Sequence, residues 1–263
     1  MKLSTLAAAL LGTTLLAGAA QAQTAAALVG DDTLVMVDVA ARKADKTVKV
    51  SGLSGKLLGI DVRPADGMLY GLVSDGTIVT IDPASGKATQ KSKLDTMLSD
   101  GVMATVDFNP AADRLRIIGS DGTNLRANVD DGKVTKDGQL KFADGDMHKG
   151  KAPKIVAGAY TNSMKGAKET ALFDIDATGA LVKQAPPNDG VLNSVGMIGM
   201  SAENAAFDIV PGETAGEGTN TGWLMAGDTL YRVDLASGKA TSVGKVSGVT
   251  GTVRDIAVMP KAM

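Results

Sequence analysis

Thr77-Ile-Val-Thr-Ile-Asp82 stands between two turn signals, Asp75-Gly76 before it and Pro83-Ala-Ser-Gly86 after it. Its β-branched residues predict a strand, and Asp-Gly and Ser-Gly predict tight turns, because glycine takes positive φ without steric cost. The same unit recurs as Thr33-Leu-Val-Met-Val-Asp38, Thr123-Asn-Leu-Arg-Ala-Asn128 and Thr229-Leu-Tyr-Arg-Val-Asp234. A weaker copy, Ala171-Leu-Phe-Asp-Ile-Asp176, fills the gap between the last two. Three copies carry a glycine four residues after their Asp or Asn: Gly86, Gly132 and Gly238.

A second element precedes most copies: Gly59-Ile-Asp-Val-Arg-Pro64, Thr105-Val-Asp-Phe-Asn-Pro110 and Ala206-Phe-Asp-Ile-Val-Pro211. Each reads as a strand stopped by proline. Val156-Ala-Gly-Ala-Tyr-Thr-Asn162 is a divergent form, and Arg254-Asp-Ile-Ala-Val-Met-Pro260 is a fifth, with no copy after it. The first copy, at Thr33, has no such element before it. Joining the two ends supplies the missing strand and hides the edges that a row of short strands would expose. Thr33, Thr77 and Thr123 lie 44 and 46 residues apart, which suits four strands per unit. The expectation is an all-β closed propeller of five blades of about four strands, its ring closed by the C-terminal strand joining the N-terminal unit. A β-sandwich with similar hairpins is the competing architecture.

The start of the chain reads differently. Lys2 is the only charge in the first 22 residues, Leu6 to Leu16 is apolar, and Ala20-Gln-Ala22 is a small-x-small cleavage pattern. These predict a signal peptide over 1–22, a single propeller domain over 23–263, and a periplasmic or secreted protein. The apolar run is too short to span a bilayer. With 27 basic and 29 acidic residues the net charge is −2, evenly mixed, which argues against a nucleic-acid partner. There is no cysteine, so disulfides and thiolate chemistry are excluded.

Phe108-Asn-Pro110, Asp113-Arg-Leu-Arg116, Gly122-Thr-Asn-Leu-Arg126, Ala159-Tyr-Thr-Asn162 and Gln184-Ala-Pro-Pro-Asn-Asp-Gly190 together carry a resemblance. The chain resembles the bacterial family defined by domain of unknown function 4394, through nearly all of its mature length. The resemblance implies an exported, propeller-like domain and brings no catalytic residues.

Asp61, Asp107 and Asp208 occupy one slot, three residues before a proline; Asp255 stands five before its own, which leaves its register open. If these strands are innermost, the carboxylates face the axis or the seam between blades. An axial ring of carboxylates suits a calcium-like divalent cation. The plainer expectation is that each accepts hydrogen bonds from a neighbouring blade's amides or an arginine. Arg63, Arg114, Arg116 and Arg126, with Asn109, are candidates for such pairing or for cradling an anionic ligand. His148, the only histidine, is expected in an exposed loop beside Met147, and Met197 to Met200 in the core. Phosphate loops and nucleophile elbows are missing, and any Ser-His-Asp triad would have to use His148. The sequence therefore favours a non-enzymatic envelope module that binds a protein or small molecule, or serves as a scaffold, without membrane insertion. The alternative is a metal-dependent propeller hydrolase or lyase with an axial cation held by Asp61, Asp107 and Asp208.

Overall fold

The structure, a computed structural model, describes residues 23–212 and 219–260. The expected leader, 1–22, lies outside the described residues, as do 213–218 and 261–263. Blade 1 holds β1 (Thr24–Val29), β2 (Thr33–Asp38) and β3 (Lys43–Lys49). Blade 2 holds β4 (Leu57–Val62), β5 (Leu69–Val73), β6 (Thr77–Ile81) and β7 (Ala88–Lys93). Blade 3 holds β8 (Ala104–Asn109), β9 (Arg114–Gly119), β10 (Asn124–Ala127) and β11 (Val134–Lys136). β12 (Lys141–Phe142) joins blade 4 from outside, parallel to β16 (Val191–Met197); that blade also contains β13 (Ile155–Tyr160), β14 (Leu172–Asp176) and β15 (Ala180–Gln184). Blade 5 holds β17 (Ala205–Pro211), β18 (Asn220–Ala226), β19 (Thr229–Val233) and β20 (Ala240–Lys245). β21 (Val253–Val258) then pairs antiparallel with β1 and completes blade 1 from the inside.

The innermost strands β4, β8, β13, β17 and β21 contact one another in a closed circuit. The five-bladed ring and its closure by the C-terminal strand are thus as expected. Among the described residues the only helix is a 3-10 turn at Pro187–Asp189, and no helix is long and apolar enough to cross a membrane.

The repeated copies form the third strand from the axis in four blades: β2, β6, β10 and β19. The fifth differs: the segment Ala171 to Asp176 contains β14, the second strand of blade 4, and the third is β15. Both strands alternate apolar residues behind a turn, so the pattern alone does not separate them.

Apolar residues gather in five clusters, one per seam between blades, rather than in one central core. The turn glycines tighten these seams. Gly132 has φ 75°, and an added Cβ would lie 2.0 Å from the Lys93 carbonyl oxygen of blade 2. Only glycine combines that φ with that approach.

Candidate functional site

Every innermost strand presents alternate side chains to the next blade, and the aspartates use this. Asp61 accepts from the Phe108 amide at 2.7 Å, Asp107 from Tyr160 at 2.9 Å, and Asp208 from Val258 at 2.6 Å. Asp255 accepts from Ile60 at 2.9 Å. It lies two residues earlier along its strand, hence on the same face but one pleat away, which resolves its register. Gly59 makes room for it: a Cβ there would meet Asp255 Oδ2 at 2.9 Å and Val106 at 2.6 Å. Blade 4 has Ala159 in the carboxylate slot, and its seam to blade 5 is held by a reciprocal Asn162–Asn220 pair instead. The aspartates are therefore staples between blades.

They also converge. One carboxylate oxygen each from Asp61, Asp107 and Asp208 lies within 4.8 Å of the others. Burial, then the charge of Asp208, pushes Asp61 well above the usual carboxylate range. Burial, then Asp61 and Asp208, does the same for Asp107, and burial raises Asp208 to about 6. Three buried like charges this close require protons or a cation between them. A hard cation would find oxygen ligands of the right chemistry here.

A cavity of about 1100 Å³ opens where the innermost strands end. Asp61 and Asp208 line it, with the Pro64–Gly67 turn of blade 2, Met164 and Lys165 of blade 4, Trp223 and Arg232 of blade 5, and Val258 to Pro260.

The predicted arginines lie elsewhere and are engaged. Arg63 binds Asp113 through two bonds of 2.8 and 2.6 Å and also Asp130, across the seam between blades 2 and 3. Arg116, 2% exposed, donates to Asp137, Asn124, Asn188 and Tyr160. Arg126 binds Asp137 with two bonds of 2.6 and 2.9 Å. Arg114 donates to the backbone oxygens of Ala112 and Asp113, and Asn109 caps the turn amides of Ala111 and Ala112. These side chains join blades and turns; they do not form a common anion cradle.

His148 departs from expectation, since its side chain is only 13% exposed. Its Nδ1 lies 3.0 Å from Ser194 Oγ, and that hydroxyl donates to Asp146 at 2.9 Å. Serine and aspartate meet at the same ring nitrogen, so the imidazole cannot relay a proton between them as a triad does. Met197 is 51% exposed rather than buried, whereas Ile198 beside it is in the core.

The sequence reading missed Trp223, Arg232, Lys165 and Asp137. Arg126 and Arg232 do share a column, fourth in Thr123-Asn-Leu-Arg126 and in Thr229-Leu-Tyr-Arg232, and that was the available signal.

The family model described as domain of unknown function 4394 matches residues 33–257. The chain belongs to this family. Of the motifs that carried the resemblance, Arg116, Asn124, Arg126, Tyr160 and Asn188 form the polar seam between blades 3 and 4. No curated protein matches. A solved structural-genomics protein of unknown function from Bacteroides thetaiotaomicron is 17% identical with a TM-score of 0.52. The match covers 91% of this chain and 65% of that one, so the chain spans a little under two thirds of that protein's length. The dihydro-heme d1 dehydrogenase NirN is 11% identical over 87% of this chain and 45% of its own, with a TM-score of 0.42. The first likeness concerns the fold alone, and the second carries no argument.

Proposed function

We propose that the protein is an exported envelope propeller that binds a small ligand at the mouth of its axis without chemically transforming it. The carrying observation is the cavity of about 1100 Å³ over the axial carboxylates, a size that suits a small organic molecule. Export, to the periplasm or beyond, is supported by Lys2, the apolar Leu6 to Leu16 and Ala20-Gln-Ala22. Binding is favoured over catalysis because the axial carboxylates are tied to backbone amides: Asp61 accepts from Phe108 on one oxygen and Val62 on the other, both at 2.7 Å. Native mass spectrometry of the mature chain, incubated with a small-molecule extract of the envelope, tests the reading. A one-to-one adduct, lost when Thr221→Trp fills the cavity, is expected. No adduct, or one that survives Thr221→Trp, refutes it.

A second reading, a metal-dependent hydrolase or lyase, is favoured by the convergence of Asp61, Asp107 and Asp208 oxygens within 4.8 Å. It requires a stoichiometric divalent metal in protein purified without chelators. It also requires a melting temperature lowered by EDTA and restored by calcium, with both effects lost in Asp61→Ala and Asp107→Ala. Metal-free protein with an unchanged melt removes it.

A further inference from the structure

Cross-strand register places one row of side chains across each blade, facing the next. In blade 3 the row is Asp107, Arg116, Arg126 and Thr135. In blade 5 it is Asp208, Trp223, Arg232 and Thr241. Arg126 and Arg232 thus hold the same place, third from the axis. Their surroundings differ. Arg126 meets Asp137 in a two-bond pair, inside a packed seam. Arg232 has no carboxylate partner among the described residues; its guanidinium is stacked 4.9 Å from the centre of the Trp223 ring, and it lines the cavity. The contact with the ring restrains the guanidinium, and no described residue takes a hydrogen bond from it. Lys165, which lines the same cavity from blade 4, is likewise in no ion pair among the described residues. Blade 1 opposes them with Gln23, Val258, Met259 and Pro260; the acids of the lining are Asp66, which accepts from Arg63 and Tyr70, and Asp61 and Asp208, which accept from backbone amides of the neighbouring blades.

We infer that the cavity recognises a small organic carboxylate, whose two oxygens take the guanidinium of Arg232 as Asp137 takes that of Arg126. The carboxylate supplies from outside the charge that blade 3 supplies from its own chain. A planar two-oxygen group matches the guanidinium fork and places its remaining atoms against the Trp223 side. Lys165 adds a second attraction at the rim. This inference rests on the proposed ligand-binding reading and specifies the ligand's class.

Trp223 is the only tryptophan in the chain, so its emission reports on the site directly. The mature protein is titrated with succinate, citrate and acetate, and in parallel with inorganic phosphate and sulfate, following emission and, independently, heat by calorimetry. A saturable response to succinate or citrate is expected. Calorimetric affinity should fall at least about tenfold in Arg232→Gln and less in Lys165→Gln, in line with the loss of a charge-assisted pair. Arg232 is exposed, so an unchanged melting temperature is expected for that variant. Silence towards all carboxylates, binding unchanged in Arg232→Gln, or a response to phosphate and sulfate alone overturns the inference. An envelope adduct retained in the face of carboxylate silence overturns the inference while the binding reading stands; absence of both removes both.

Discussion

Asp174 offers the most direct test of the seam energetics. It lies on β14, fully buried, and neither carboxylate oxygen has a hydrogen-bond partner among the described residues. It fits only because residue 158 is glycine: a Cβ there would stand 2.2 Å from Asp174 Oδ1. Burial pushes its pKa up to about 8, against the opposing charge of Arg116. The folded protein therefore holds this proton at pH 7, while the unfolded chain releases it near 3.8. Because the folded state binds more protons between these values, stability falls as pH rises through that window. The slope is about 1.4 kcal/mol per pH unit, so roughly 4 kcal/mol is lost between pH 5 and pH 8 from this group. Asp174→Asn keeps the shape and removes the ionisation. Other acids contribute their own pH dependence, but they do so equally in both proteins. The measurement is urea unfolding of wild type and Asp174→Asn at pH 5, 6, 7 and 8. The difference in unfolding free energy should swing towards the variant by roughly 4 kcal/mol over that range. A difference that stays flat with pH would refute the assignment of a buried, unpartnered acid at this seam.

Four further variants probe the seams and one open turn. Asp137→Ala strands the buried Arg116 and the half-buried Arg126, and should cost about 3–5 kcal/mol in denaturant unfolding. Gly132→Ala combines a φ of 75° with a 2.0 Å approach to Lys93 and should lower the melting temperature markedly. Gly101→Ala, at φ 79° with nothing within 4 Å, should cost only the left-handed strain of about 1–2 kcal/mol. Gly59→Ala displaces Asp255 or Val106 and should cost about 1–3 kcal/mol by thermal or urea melts, as overpacking does.

The ring was legible because its signals are local and repeated. Thr77 to Asp82 and its copies announced hairpins, and a strand element after the last copy but none before the first announced the closure. Blade 4 was harder, because Ala171 to Asp176 and Ala180 to Gln184 carry the same alternation and only pairing tells second strand from third. The aspartate slot at 61, 107 and 208 was visible as a column, and its stapling of amides follows from period-two geometry. That the same three also converge depends on the radius of the ring, which no local pattern encodes. Asp137 could not be found by inspection, because its value lies in meeting two arginines from other strands. Arg232 stands in the same column as Arg126, but that no described carboxylate meets it is a property of the assembled seam.

The pairing of β21 with β1 sets a condition on how the molecule is made. Four blades are built from strands close in sequence and can form piecemeal, but Ala25 must wait for Val258. Until Val253–Val258 is available, β1 presents an unpaired, fully apolar edge, Ala25-Ala-Ala-Leu-Val29, ready to capture any other strand. A chain cut short by stalled synthesis or trimming would keep that adhesive edge and an open ring. The last strand thus hides the first one's edge, and the ring is complete only when both ends of the described chain have met.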